Sequence, residues 1–155
     1  MPLIDRFLED HRKFRQHIAQ TRAAAADLPA GSIPPAPTDE DRVFAAELRR
    51  HARMESELLF PAMQRAGSEQ MRQKTVAHFI AHGHDEHSSV AKRHAQVQGV
   101  NEKIQMEKWR SSFEHFAEGL TRHMELEERE IFPLARELLS QAVLADLNQK
   151  ADKIP

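Results

Sequence analysis

Two stretches of this chain put a histidine and a glutamate where a buried helix face calls for apolar residues. They are HARMESELLFP, residues 51–61, and HMELEEREIFP, residues 123–133. The second repeats the pattern of the first 72 residues later: His, three residues, Glu, then four that include a Glu, a large apolar residue, Phe and finally Pro. Helix positions four apart share a face, so His51 neighbours Glu55 and His123 neighbours Glu127. Phe44, Leu48, His51, Glu55 and Leu58 step by four, three, four and three. Phe113, Phe116, Leu120, His123, Glu127 and Leu134 continue a second stripe in the same way. Both pairs are therefore predicted to lie in a core. A carboxylate there takes up a proton or finds a partner. Two such glutamates, each beside an imidazole, point to one shared partner, and this donor chemistry suits iron.

The rest of the chain supplies the frame. Leu3, Phe7, Phe14 and Ile18 mark a first helix from about Leu3 to Asp27. DLPAGSIPPAPTD, residues 27–39, carries four prolines and a glycine and reads as an irregular connection. Thr38 or Asp39 caps a second helix whose stripe is Val43, Phe44, Leu48 and Leu58, and which is predicted to end or kink at Pro61. A third helix is predicted over 69–97, capped by Ser68 and carrying Val76, Ile80, Val90 and Val97. Gly99 and Asn101 mark the next turn. A fourth helix follows over 102–132, with Trp109, Phe113, Phe116 and Leu120 inward. A short C-terminal helix is predicted over 133–150. The expected fold is all-α: an up-down-up-down four-helix bundle with a short C-terminal helix, residues 1–155 forming one domain.

Composition narrows the function. A net charge of −2 offers no attraction to nucleic acid, and no basic run addresses a membrane surface. The absence of cysteine excludes disulfides, thiolate metal sites and a cysteine nucleophile. No apolar run is long enough to span a membrane, and the first residues lack a signal-peptide pattern, so the expected compartment is the cytoplasm. Ten histidines in 155 residues stand out.

Two of those histidines extend the argument. His11 lies between Phe7 and Phe14, and His87 between Ile80 and Val90; each follows an acid and precedes an apolar residue by three. They are 76 residues apart, close to the spacing of the two longer stretches. The chain thus reads as two related helix pairs, each giving His from one helix and His-x-x-x-Glu from the other. Four imidazoles and two carboxylates exceed a tetrahedral zinc site. They suit two ions bridged by both glutamates, with about two coordination positions left open for a small ligand. His84, about sixty degrees around the helix from His87, is a fifth candidate imidazole. His17, His78, His82, His94 and His115 are assigned no such role. Glu57, Glu128 and Glu130 read as solvated groups or as groups that hold a ligand histidine in place. Leu59, Phe60 and Pro61, with Ile131, Phe132 and Pro133, read as packing and helix-ending residues.

DHRKF, HARMESELLFP, DEHSSV and HMELEEREIFP together resemble the motifs of the hemerythrin-like family, also called the HHE cation-binding domain, over roughly residues 1–140. The resemblance implies a bundle around two non-haem, oxo- or hydroxo-bridged iron ions, with manganese or zinc as alternatives. His11, His51, Glu55, His87, His123 and Glu127 take the ligand positions. It also implies a small diatomic or peroxide ligand; a protein partner is not indicated. Two departures set the chain apart from the oxygen-carrying members. Gly83 stands four residues before His87, where they have a histidine, and Glu127 follows His123 by four residues rather than five. A di-iron enzyme consuming peroxide or ferrous iron, and a metal-free interaction module, are the competing expectations.

Overall fold

The computed structural model describes residues 2–29, 31–67, 69, 73 and 102–155, the side chains of 102–104 excepted. The protein is an all-α bundle, with no strand among the described residues. Helix α1 spans Leu3–Ala26 and buries Leu3, Phe7, His11, Phe14 and Ile18 along one face. Its last turn carries no basic residue; Arg110, from the fourth expected helix, reaches across to the carbonyl oxygens of Ala25 and Leu28 at 3.0 and 3.4 Å. In the proline-rich connection, Gly31 takes the one positive φ among the described residues, 85°. Helix α2, Asp39–Met54, starts from Thr38: its hydroxyl accepts from the Asp41 amide while the Asp41 carboxylate accepts from the Thr38 amide.

The sequence predicts that Pro61 ends or kinks its helix and that Pro133 ends one; neither ends it. Helix α2 runs through a π turn, Glu55–Leu59, into α3, Phe60–Ala66. Helix α4, Glu102–Leu126, runs through a second π turn, Glu127–Ile131, into α5, Phe132–Leu138. A proline ring inside an α-helix strikes the carbonyl four residues back and removes a donor. Here the preceding residue bonds five residues back instead, Phe60 N–H to the Glu55 carbonyl and Phe132 N–H to the Glu127 carbonyl. The wider turn admits the proline and lets the helix continue. It also changes the inward register. Leu59 is fully buried and Leu58 only half-buried, although the 3.6-residue period placed Leu58 in the core. Val43, also expected in the stripe, is 58% exposed beside the inward Phe44. The last helix, α6, starts at Gln141 rather than 133, capped by the Ser140 hydroxyl.

Along α1, α2 and α4 with their π turns, the His and Glu positions lie where one apolar cluster gives way to another. Leu3, Ile4, Phe7, Leu59, Ile131, Phe132 and Ala135 belong to one, which α6 completes with Leu144 and Leu147. Phe14, Ile18, Leu48, Ala117, Leu120 and Met124 belong to the other. The order of the clusters along the chain makes α1 run opposite to α2 and α4, as alternating topology requires. The expected third helix falls outside the described residues apart from Glu69 and Gln73, as do Ser68, His78, His82, His84, His87, His94 and the turn at Gly99 and Asn101.

Candidate metal centre

Five of the predicted site residues lie within the described chain, and all five meet between the two apolar clusters. His11, His51, Glu55 and Glu127 are buried, and the His123 side chain is 10% exposed. Their atoms form two groups. His11, His51 and Glu127 bring three donor atoms within 4.8 Å of one another; Glu55, His123 and Glu127 do the same. Glu127 belongs to both. Its Oε2 lies 3.2 Å from His11 Nε2 and its Oε1 2.9 Å from His123 Nε2. The two halves of the 72-residue repeat both reach the site: one His-x-x-x-Glu helix sends His51 to the first group and Glu55 to the second, and the other sends His123 to the second and Glu127 to both. His84 and His87 lie outside the described residues.

The walls are aromatic. Phe7 and Phe14 present ring edges to His51 at 4.9 and 5.3 Å, and Phe132 lies 5.4 Å from the His11 ring. Phe132 thus packs on a site residue instead of ending a helix. Sequence reasoning left His17 without a role; it stacks on Phe44 at 4.2 Å, with Nε2 3.2 Å from Asp41. Glu57 pairs with Arg53 and Glu130 with Arg129 on the surface, whereas Glu128 turns inward to His11. His115 is exposed.

The electrostatics of the site are those of a receptor for cations. Burial and the nearby Glu127 charge push the Glu55 carboxyl up to about 7. Burial also acts on Glu127, but the His11 and His123 rings beside it hold its carboxyl well below the usual range. For His51, burial opposes the charged ring, yet Glu55, Asp10 and Glu127 outweigh it and raise the group to about 10. Without a metal, protons are therefore what balances the carboxylates. Glu128 is held low, burial being outweighed by the Arg15 guanidinium and the His11 ring.

The donor set fits a bound metal. Glu55 Oε1 and both Glu127 oxygens are buried with no hydrogen bond of proper geometry, though imidazole nitrogens lie within 3.3 Å. Buried carboxylate oxygens are almost always satisfied, and an ion is one of the few things that satisfies several at once. Glu55→Gln should therefore stabilise the metal-free protein at pH 8 by about 1–2 kcal/mol while weakening metal uptake. Denaturant titrations with a chelator, beside metal-binding curves, check both halves; equal stability of the two proteins would contradict the strain assigned to Glu55.

Two residues at the site escaped the sequence reading. Asp10 Oδ2 lies 3.3 Å from His51 Nδ1, and Arg15 Nη1 donates to Glu128 Oε1 at 2.8 Å. The acid preceding His11 was a visible signal, but its target is on another helix.

No helix among the described residues is long and apolar enough to cross a membrane. Neither the curated proteins nor the solved structures contain a match to this chain. The family model of the hemerythrin HHE cation binding domain matches residues 3–135, which include every described residue of the two groups. With this match and a His/Glu cluster able to hold a metal, the chain belongs to the hemerythrin HHE cation-binding family.

Proposed function

We propose that the chain holds two iron ions in the polar layer of its bundle and uses them to bind or sense a small oxidant: dioxygen, nitric oxide or peroxide. The observation that carries this reading is the sharing of Glu127 between two separate ligand groups. His11, His51 and Glu127 would hold one ion, and Glu55, His123 and Glu127 the other. His87, and His84 as a further candidate, both outside the described residues, would complete the second set by the logic of the repeat. Iron bound there supplies redox chemistry and open positions for a small ligand. The chain's own residues do the rest. Phe7, Phe14 and Phe132 keep water from the imidazoles and strengthen every charge interaction between them. The two glutamates, each the first residue of a π turn, would supply carboxylate oxygens to the ions.

The test is metal analysis with an optical spectrum, on protein purified without air and then exposed to it. About two irons per chain and new near-ultraviolet and visible bands are expected from two histidine- and carboxylate-bound ions. Manganese or zinc in place of iron would redirect the reading to another metal, and no metal after reconstitution would overturn it. Catalytic consumption of peroxide or ferrous iron, rather than a stoichiometric spectral change, would make the protein an enzyme.

A further inference from the structure

Helix α1 contributes one of the five converging residues, His11, yet three of its side chains act on one ligand group. His11 Nδ1 and Arg15 Nη1 both lie 2.8 Å from the same oxygen, Glu128 Oε1. An ionised carboxylate only accepts. His11 therefore carries a proton on Nδ1, donates it to Glu128, and turns its Nε2 toward Glu127 Oε2, 3.2 Å away. Arg15, one helical turn after His11, holds Glu128 from the other side. Asp10 does for His51 what Glu128 does for His11. Its Oδ2 lies 3.3 Å from His51 Nδ1, while His51 Nε2 faces His11 Nε2 at 3.3 Å. With both Nδ1 atoms engaged, the two Nε2 atoms and a Glu127 oxygen converge as the donors a cation would take on displacing the protons held there.

We propose that Arg15, Glu128 and Asp10 are positioning residues for the ion held by His11, His51 and Glu127. They fix the tautomer and orientation of both imidazoles and so raise the affinity of that one position. The proposal rests on the two-metal reading above and deepens it: it states which side chains beyond the ligands set the binding strength of one position, and that α1 sends two of them. A ligand imidazole oriented by a carboxylate binds its metal more tightly, and loss of such a partner costs about 10–100-fold in affinity.

Arg15 and Glu128 are partly exposed, at 39% and 30% of their side chains, so replacing them spares the core. The experiment is a Zn²⁺ competition titration of the full chain against a chromogenic chelator. In Arg15→Gln and Glu128→Gln, the affinity of one equivalent should fall about 10–100-fold while the other holds. Arg15→Lys, which keeps the charge, should recover most of the loss, and Asp10→Asn should weaken the same equivalent. Nitrogen NMR of the metal-free protein should show His11 Nδ1 fully protonated in the wild type and only partly so in Glu128→Gln. Wild-type affinities together with an unchanged tautomer in Arg15→Gln and Glu128→Gln would overturn the proposal. If the wild type itself takes up no metal, the two-metal reading fails; the tautomer measurement still decides whether Glu128 orients His11.

Discussion

Replacing Glu127 with alanine should empty both metal positions, whereas replacing His11 should empty one. Glu127 is the residue common to both groups of converging donors, with an oxygen directed at His11 and another at His123. Its loss removes one donor from each ion at once. Losing a group that merely orients a ligand costs about 10–100-fold in metal affinity, so losing the ligand itself should cost each position at least about a hundredfold. His11 belongs to the first group alone, and its alanine variant keeps Glu55, His123 and Glu127 in place. Equilibrium dialysis against ferrous iron under argon, with metal analysis, should return about two, one and no tightly held ions for wild type, His11→Ala and Glu127→Ala, as the donor sets require. Helix content should persist in both variants, because α4 reaches the site by its own backbone bonds and packs through Ala117, Leu120 and Met124 above it. Two ions retained by Glu127→Ala would show that this carboxylate is not shared.

The second large effect is a reversal of pH dependence between the metal-free and loaded protein. His51 is raised to about 10 from an ordinary 6.5, and Glu55 to about 7 from an ordinary 4.5. Both groups hold their protons more tightly in the folded chain than in the unfolded one, so each favours folding at low pH. The Glu55 contribution is complete below about 4.5 and lost by about 7. The His51 contribution is complete below about 6.5 and is lost as pH rises through about 10. Glu127, held low, acts in the opposite sense: its contribution is present above 4.5 and disappears as the medium becomes more acidic. The metal-free protein should therefore be most stable in mild acid. Between pH 6 and pH 9 the two groups together should cost it about 4–5 kcal/mol, or about 8–20 °C in Tm for a chain of this size. A metal takes the place of those protons, so its affinity climbs with pH and the loaded protein should gain stability over the same range. Thermal melts with chelator and with added metal at the two pH values measure this directly. A chelated protein that melts at the same temperature at pH 6 and pH 9 would refute the assignment of the buried proton to His51.

The parts of this structure that were legible in the sequence are those governed by local periodicity. His51 with Glu55 and His123 with Glu127 could be placed on inward faces because four residues span about one turn, and the same spacing set His11 between Phe7 and Phe14. Thr38 was readable as a cap because its partner Asp41 is three residues away. The π turns were not readable, since Pro61 and Pro133 signal a helix end unless the winding widens, and the widening is settled by what the helix packs against. That one change also explains why Leu59 rather than Leu58 is buried, and why the last helix begins after Leu138. Asp10 and Arg15 were invisible for a different reason. Their partners His51 and Glu128 are brought close by folding, and no spacing along α1 encodes them.

The layer of histidines and glutamates between two apolar clusters has a consequence for how the bundle comes apart. Apolar contact is what makes a small domain unfold as one unit, and here that contact is interrupted at mid-height. Among the described residues, the half around Phe14, Ile18 and Leu120 and the half around Phe7, Leu59 and Phe132 meet at this polar layer, and in the metal-free protein they are expected to open as two foldons. Ions held from helices of both pairs would bind those halves together. A metal would then be the keystone of the fold's cooperativity.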